Sequence, residues 1–266
     1  GFPIVLLCDA DGGRIPDVMG WRFSHLPLDF KTFLKRTDGG PLVPRAAAVL
    51  GPSYGDSALH ASTAHFVVMT RASSLALVGP SIVEQATGDV LTDVELGGPD
   101  KAIANGNAHM AVETEADAMN AIAAFLSYLP ANAALPAPIG PARAPLTPPE
   151  ELENIVPLGQ KAGYDMRRVI EAIVDEASVL PWGDEWGGSL LCCLARLDGN
   201  PVGVIANQPI VRAGALDAHA LTKEHDFVDL CASFNVPLLF LHDVPGLMVG
   251  GEAEKTGILK AYEKLA

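Results

Sequence analysis

The sequence is poor in positive charge and contains no long apolar run. Lys and Arg number 18 against 32 Asp and Glu, so the formal net charge at pH 7 is −14. Basic surfaces hold phosphate backbones, and this balance therefore argues against nucleic acid as a partner. A membrane-spanning helix needs roughly 18 consecutive apolar residues, and no stretch of the chain reaches that length. We expect neither nucleic acid nor a membrane as a partner.

Cysteines and metal-binding motifs are scarce as well. The four cysteines, Cys8, Cys192, Cys193 and Cys231, lie in apolar stretches. We expect them to be reduced thiols in a core, which is typical of an intracellular protein. The seven histidines are scattered, with no HExxH pattern, and the chain has no CxxC. The sequence therefore predicts no metal site. From the reduced cysteines we expect a location in the cytoplasm or, in a eukaryote, in the mitochondrial matrix.

A proline-rich segment separates two halves of similar organisation. Eight prolines lie between Pro130 and Pro157 among alanines, and such a composition favours an extended linker without a helix or a strand ladder. We therefore predict an N-terminal domain over residues 1–130, a linker over 131–157 and a C-terminal domain over 158–266. The chain begins with Gly inside an apolar stretch. We expect the start of the first domain and the end of the second to lie outside it.

Each half alternates strand patterns with helix patterns. The predicted elements are a strand over 46–50, a helix over 58–66, a helix over 165–180, two strands joined at Asp198 and Gly199, and a helix over 218–234 capped by Asp217. Alternation of this kind predicts an α/β fold with largely parallel sheets.

Two apolar strands in the first half end in glycine-bearing loops. One reads LLCDADGGRI over 6–15, and the other, AVLGPSYGDSALH over 48–60, runs directly into the predicted helix. Glycine lets backbone N–H groups face a ligand, and a helix N-terminus adds unpaired donors. Such a loop can hold an anion or a developing oxyanion without any charged side chain.

The basic residues of the first half fall in one window. A phosphate-bearing small molecule is one interpretation of this window, and a solvated helix face is the other. The six residues are Arg14, Arg22, Lys31, Lys35, Arg36 and Arg45.

A serine hydrolase motif lies in the second loop. Gly51 to Gly55 fits G-x-S-x-G between a strand and a helix, where Ser53 would be the nucleophile. The motif fixes only three residues in a chain rich in glycine, and no Asp followed by His stands out later in the chain to complete a triad. The hydrolase reading stays open as an alternative function.

The two halves together resemble a known family. The segments 196–209, 213–246 and 247–266 are similar to the C-terminal half of the biotin-dependent acyl-CoA carboxyltransferases. The segments 9–15, 49–69, 75–98 and 125–130 are similar to their N-terminal half. The family includes the beta-type carboxyltransferase subunits of acetyl-, propionyl- and methylcrotonyl-CoA carboxylases. The resemblance implies two domains of the ClpP/crotonase superfamily, each truncated here, in a homo-oligomer that is a hexamer or another dimer-based assembly.

The resemblance also implies a reaction and its partners. The expected reaction moves CO₂ from carboxybiotin to the α carbon of a short-chain acyl-CoA, with two backbone oxyanion holes. Biotin is expected on a partner, the biotin carboxylase or biotin carboxyl carrier subunit, and a coenzyme A thioester is the substrate. The second oxyanion loop is expected after Ala266. The implied site residues are the backbone donors Gly55 and Asp56, the substrate-binding Gly12, Gly13, Arg14, Tyr54 and Ser57, and the biotin-side Asn207, Gln208, Pro245 and Gly246.

Two further alternatives stay open within the resemblance. A biotin-dependent acyl-CoA decarboxylase subunit uses the same kind of site in reverse. A non-catalytic scaffold is the other, because Asp11 and Asp56 stand where the family commonly has glycine. The amide of Asp56 survives that substitution, but its carboxylate must point away from the thioester to avoid repelling an enolate.

Overall fold

A computed structural model describes residues 1–12, 42–157 and 163–265 of the chain. These residues form two compact units. The first unit comprises Gly1–Leu126 and Ala131–Leu135, and the second comprises Ser127–Pro130 and Pro136–Ala266. Each unit has its own sheet and its own core, and each is described separately below.

The first unit is built on a parallel sheet. Its strands run in the order β1-β2-β3-β5, and the short β4 pairs with the end of β2. The elements are β1 (Ile4–Ala10), β2 (Arg45–Tyr54), α1 (Asp56–Ser62), β3 (Phe66–Thr70), β4 (Ser74–Ala76), α2 (Pro80–Thr87), α3 (Asp93–Gly97), α4 (Pro99–Ala104), β5 (Met110–Val112) and α5 (Glu115–Ser127).

The central strands of this sheet are buried continuously rather than alternately. Every residue from Ala46 to Val49 in β2 is 0% exposed, and β3 is buried along its whole length. This is the pattern of a parallel strand covered on both faces. Helix α1 packs Ala58 and Ala61 into the same core. The predicted strand over 46–50 is confirmed, whereas the predicted helix over 58–66 ends at Ser62 because Phe66 opens β3.

Two histidines extend the hydrogen-bond ladder of this sheet at its edge. The Val67 N–H donates to Nδ1 of His109 at 2.9 Å, and the His109 N–H donates to the Val67 carbonyl at 2.9 Å. The Arg45 N–H donates in the same way to Nδ1 of His65 at 3.0 Å. In both pairs the neutral imidazole acts as an acceptor for a backbone N–H, as a strand carbonyl would.

The second unit has a mixed sheet in the order β6-β7-β8-β9. The first two pairings are antiparallel and only the pairing of β8 with β9 is parallel, so the expectation of largely parallel sheets is wrong here. The elements are α6 (Met166–Ile173), β6 (Leu180–Pro181), β7 (Leu190–Leu197), β8 (Asn200–Asn207), α7 (Ala218–Ser233), β9 (Leu238–Leu241), α8 (Gly251–Lys255) and α9 (Ile258–Leu265), with short 3₁₀ helices at Pro149–Asn154 and Arg212–Gly214.

The turn at Asp198 and Gly199 explains the antiparallel pairing. Both residues have positive φ, 50° and 76°, as a two-residue hairpin turn requires. A two-residue connection can join only antiparallel strands, because parallel strands need a long crossover. The predicted pair of strands around this turn is confirmed.

The two predicted helices of this unit differ in outcome. Helix α7 matches the prediction over 218–234, and the Asp217 carboxylate caps it by accepting from the Ala220 N–H at 2.9 Å. The predicted helix over 165–180 is too long, because α6 ends at Ile173. Val174 is extended and Ala177 has φ of 57°, so the apolar pattern continues into a connection rather than another helical turn.

The proline-rich segment packs on the second unit instead of running free. The Gly140 N–H donates to the Gly199 carbonyl at 2.8 Å, and the Arg143 N–H donates to the Asp175 carboxylate at 3.3 Å. The 3₁₀ helix at Pro149–Asn154 also corrects the expectation that this composition holds no helix.

Asp175 joins this segment to the hairpin. Its side chain is buried and also accepts from the N–H groups of Asp198 and Gly199, each at 2.8 Å. One carboxylate therefore serves three backbone donors from two different stretches of the chain.

The four cysteines are free and buried, as expected.

Candidate active site

The strand-to-helix turn between β2 and α1 is the centre of the candidate site in the first unit. Gly55 occupies it with φ of 59° and ψ of −124°, a conformation that a residue with a Cβ rarely adopts. Among the described residues other than its chain neighbours, none has a heavy atom within 4 Å of the point where a Cβ would stand on Gly55. The space beside the turn is therefore open, and α1 begins at the next residue, Asp56.

The two predicted oxyanion donors of this turn are not equivalent. The Gly55 N–H donates to the Leu77 carbonyl at 3.0 Å, so it is engaged within the chain in this conformation. Asp56 is the first residue of α1, and the amides of a first helical turn have no intrahelical acceptor. The Asp56 side chain is exposed, so its carboxylate can remain in solvent. The geometry favours Asp56 over Gly55 as a donor.

Tyr54, the last residue of β2, is buried and hydrogen-bonded through its hydroxyl. Its side chain is 3% exposed. Its hydroxyl donates to the Asp93 carboxylate and lies 2.7 Å from the Ser74 hydroxyl. Burial raises the pKa of Tyr54 to about 12, and the Asp93 hydrogen bond adds to the rise. These interactions fix the residue before the turn, and a substrate contact of Tyr54 stays a prediction.

Ser53 lies inside β2 and is 0% exposed. Its hydroxyl makes a long contact of 3.5 Å with the Gly51 carbonyl. An attacking serine needs access to its substrate, and this position offers none. The sharp turn of the motif falls at Gly55, two residues beyond the serine.

Of the remaining predicted substrate residues, Ser57 and Gly12 are described and the other two are not. The Ser57 side chain forms a hydrogen bond with the Cys8 thiol. Burial raises the pKa of that thiol. Gly12 is exposed, with φ of 99°. Gly13 and Arg14 lie outside the described residues, as does the basic window apart from Arg45.

Two of the predicted biotin-side residues brace loops in the second unit. The Asn207 amide donates to the Gly214 carbonyl at 3.2 Å and accepts from the Asp243 N–H at 3.3 Å. Asn207 is 4% exposed. Its polar groups hold the loop after β8 against the loop after β9, and its contact with biotin stays a prediction.

Gln208 is similarly engaged. It is 1% exposed, accepts from the Met166 N–H at 3.0 Å and donates to the Asp165 carboxylate at 2.6 Å. These bonds hold the start of α6. The other two biotin-side residues, Pro245 and Gly246, are exposed in the loop after β9, where the Gly246 carbonyl accepts from the Leu216 N–H at 3.1 Å.

The structure also contains features that sequence patterns do not indicate. In the second unit, Arg167 pairs with Asp184 at 3.0 Å beside a cavity of about 190 Å³ that is floored by apolar side chains. In the first unit, a groove of about 240 Å³ lies between α1 and β4. Lys223 is 0% exposed and donates to the Gly183 carbonyl at 3.1 Å, and burial lowers its pKa. No periodicity distinguishes these residues, because they become neighbours only in the fold.

The sequence profile of the carboxyl transferase domain matches residues 31–265. The chain belongs to this family. The methylmalonyl-CoA carboxyltransferase 12S subunit of Propionibacterium freudenreichii subsp. shermanii is 35% identical over 267 residues, which cover 100% of this chain and 50% of that protein. The methylmalonyl-CoA decarboxylase subunit alpha of Veillonella parvula is 32% identical and matched over 100% of this chain and 52% of its own length.

A solved structure of the transcarboxylase 12S hexamer, with methylmalonyl-coenzyme A and methylmalonic acid bound, confirms the fold. It superimposes with a TM-score of 0.90 at 34% identity and covers 99% of this chain and 51% of that chain. The chain therefore has a crotonase-like fold, and it spans about half the length of the curated relatives it matches. Among the helices of residues 1–12, 42–157 and 163–265, none combines the length and apolarity needed to cross a membrane.

Proposed function

We propose that this chain is part of the carboxyltransferase subunit of a biotin-dependent acyl-CoA carboxylase. The reaction moves CO₂ from carboxybiotin to the α carbon of a short-chain acyl-CoA. The observation that carries the proposal is a carboxyltransferase match along almost the whole chain together with a strand-to-helix turn that has open space beside it. The 12S subunit is by name a methylmalonyl-CoA carboxyltransferase, and the proposed reaction comes to this chain from it.

The chemistry needs a group that stabilises a negative oxygen without itself titrating. The ureido group of biotin that has released CO₂ would accept the α proton of the thioester, and the charge of the resulting enolate would collect on the former carbonyl oxygen. A backbone N–H aimed at that oxygen stabilises the charge. In this chain we assign that role to the Asp56 amide at the start of α1, next to the open space at Gly55. The carbanion then forms a carbon–carbon bond with CO₂.

Biotin supplies the carboxyl group when its carrier is bound. Of the predicted biotin-side residues, Pro245 and Gly246 are exposed and fit a contact with a carrier, whereas Asn207 and Gln208 are buried and bonded within the chain. We propose a biotin carboxylase or biotin carboxyl carrier subunit as the partner, and a homo-oligomer, since the 12S relative is a hexamer.

A decarboxylase subunit is the second candidate. The specific observation in its favour is the match to the methylmalonyl-CoA decarboxylase subunit alpha along the whole chain. The two functions run the same group transfer in opposite directions. The serine hydrolase alternative is not favoured, because Ser53 is fully buried inside β2.

Assay of the full-length protein in both directions tests the proposal. The protein is purified from its source and blotted with streptavidin to detect a biotinylated partner. It is then given radiolabelled bicarbonate, ATP and an acyl-CoA, and acid-stable label in the acyl-CoA is counted. Label transfer that avidin inhibits supports the carboxylase. Release of CO₂ from a malonyl-type thioester without transfer supports the decarboxylase, and avidin-insensitive turnover contradicts both.

A further inference from the structure

A cavity of the second unit lies between α6 and β7, beside the short strand β6. Arg167, Ile170 and Glu171 face it from α6, and their spacing of three and four residues places them on one face of the helix. Leu191 and Cys193 face it from β7, where residues two positions apart share one face of the sheet. One helix face and one sheet face therefore enclose the cavity.

The described side chains on the floor of this cavity are apolar or neutral. Ile170, Leu191 and Cys193 are all buried, and Val179 and Pro181 complete the lining at β6. Burial raises the pKa of the Cys193 thiol to about 12, so the thiol is neutral at pH 7. An apolar ligand is stabilised on such a surface, because each methylene group removed from water increases affinity about fourfold.

The rim of the cavity carries more negative than positive charge. The Arg167 guanidinium donates through Nε and Nη2 to Oδ2 of Asp184, at 3.2 and 3.0 Å. Its third nitrogen, Nη1, lies 3.5 Å from the Asp165 carboxylate. Glu171, one helical turn along α6, adds an exposed carboxylate. Among the described residues, three carboxylates are thus arranged around this guanidinium, which disfavours an anionic ligand.

A ligand bound at this rim must donate hydrogen bonds. Both bonds from Arg167 go to Oδ2 of Asp184, so the other carboxylate oxygen, Oδ1, lies outside that ion pair. The Glu171 carboxylate likewise accepts hydrogen bonds and cannot donate them when it is ionised. An ammonium group has three N–H donors and a positive charge. The net charge of −14 on the chain also favours the approach of a cation.

We propose that this cavity binds a small organic ammonium ion whose apolar body has about six or seven carbon atoms, because the cavity encloses about 190 Å³ and about 150 Å³ is enough to hold benzene. The body rests on Ile170, Leu191 and Cys193. The ammonium group donates to Asp184 and Glu171 at the rim. Binding of this ion requires no carboxyl transfer and is independent of the proposed function.

Isothermal titration calorimetry of the full-length protein with three matched probes tests the proposal. Benzylammonium, benzyl alcohol and benzoate share one ring and differ in charge. At pH 7 and low salt, benzylammonium is expected to bind about fivefold or more tightly than benzyl alcohol, since two partly exposed ion pairs form. Benzoate is expected to show no saturable binding. Added salt should weaken only benzylammonium, because salt screens exposed charges. Equal affinities of benzylammonium and benzyl alcohol would overturn the proposal.

Two variants and a matched control locate the binding. Glu171→Gln removes one rim carboxylate and keeps its shape, so Kd for benzylammonium should rise about two- to fivefold while Kd for benzyl alcohol stays the same. Val179→Phe places a ring in the cavity and should prevent saturable binding of both probes. Glu176→Gln, at an exposed carboxylate of the same unit that is not in the cavity lining, should match wild type.

Two further results would contradict the site. Equal losses of affinity in Glu171→Gln and Glu176→Gln would assign the effect to the net charge of the protein and overturn the proposal. A wild-type protein that binds none of the three probes also overturns it, whereas carboxyl transfer is assayed separately and is unaffected by that result. Circular dichroism checks the fold of each variant. Because Glu171 is exposed, Glu171→Gln decides the question even where Val179→Phe fails to fold.

Discussion

The hydroxyl of Tyr54 donates to the carboxylate of Asp93, and so ties the last residue of β2 to the first residue of α3. Thirty-nine positions separate the two residues in the chain. Together with the bond from Gly55 to Leu77, this contact holds both flanks of the candidate turn to the segment that follows β4. The turn is fixed by its surroundings and not by its own sequence alone.

Removal of the Tyr54 hydroxyl is expected to destabilise the first unit. Tyr54→Phe leaves the buried Ser74 hydroxyl and the half-buried Asp93 carboxylate without this partner. An unsatisfied buried polar group such as Ser74 costs about 1–3 kcal/mol. Urea unfolding of the full-length protein measures the loss. Tyr262→Phe, at a tyrosine that is 49% exposed, is the control. Equal stability of the two variants would show that the Tyr54 contacts contribute little.

The Asp56 amide is tested by two substitutions, of which both remove the carboxylate and only one removes the N–H. Proline is well tolerated at the first position of a helix, which is where Asp56 stands. Asp56→Pro is expected to lower carboxylation about 10²–10³-fold, as removal of one oxyanion donor does elsewhere. Asp56→Ala keeps the N–H and is expected to stay within a few-fold of wild type. Equal loss in the two variants would assign the effect to the carboxylate.

Ser53 is expected to be dispensable for catalysis. Ser53→Ala removes only a long contact to the Gly51 carbonyl, so carboxylation should remain within a few-fold of wild type. A fluorophosphonate probe should not label the wild-type protein, because the hydroxyl is buried. Labelling of wild type that is lost in Ser53→Ala would revive the hydrolase interpretation.

His109 is expected to make the first unit sensitive to acid. Burial lowers the pKa of His109 from 6.5 to about 3, because the ring is withdrawn from solvent, and the nearby His65 adds to the fall. The folded form therefore binds fewer protons than the unfolded form between these values. Its contribution to stability is fully present above pH 6.5 and is lost as the pH falls towards 3, by a few kcal/mol at most.

Hydrogen exchange of the β3 peptide as a function of pH measures this loss. In the wild-type protein, protection of Val67 should fall between pH 6.5 and pH 4. His109→Gln removes the titrating group and should flatten that dependence. His242→Gln, at an exposed histidine of the second unit, serves as the control and should follow wild type. Identical pH profiles for all three proteins would refute the role of His109.

Arg196 is expected to protect the proline-rich segment from proteases. Its guanidinium donates to the carbonyls of Pro138 at 3.0 Å, Gly199 at 2.8 Å and Ser127 at 2.8 Å. Arg196→Ala should therefore increase cleavage within residues 136–145, as measured by limited proteolysis with mass spectrometry. Arg168→Ala, which removes an exposed arginine, should leave the digestion pattern unchanged. Equal digestion of both variants would show that the segment is held by other contacts.

Local sequence patterns predict those elements whose stability is itself local. Helix α7 and its Asp217 cap follow from apolar spacing and a side chain that bonds to the next turn. The hairpin at Asp198 and Gly199 follows from residues that tolerate positive φ. Helix α6 is shorter than its pattern, because the apolar side chain of Val174 serves the core equally well from an extended backbone.

The site is less accessible to sequence reasoning, because burial of polar groups depends on distant partners. Asn207 has a side chain that could bind a ligand. In the structure its amide forms hydrogen bonds with Gly214 and Asp243 instead, and the side chain is buried. The same holds for Tyr54, whose partner Asp93 no spacing rule connects to it. The proline-rich segment was predicted to be a free linker for a related reason. Its backbone amides and carbonyls form hydrogen bonds with distant parts of the second unit, and no local pattern indicates those partners.

The three backbone bonds that Asp175 accepts have a consequence for protein engineering. A hairpin turn on a protein surface is normally a permissive place for new chain ends or an inserted domain. Here an opening between Asp198 and Gly199 would displace two of the donors that Asp175 holds and would also disturb the Arg143 contact. A Cβ on Gly199 would come within 2.3 Å of the Gly140 carbonyl oxygen. Circular permutants and fusion proteins of this chain should therefore be opened elsewhere.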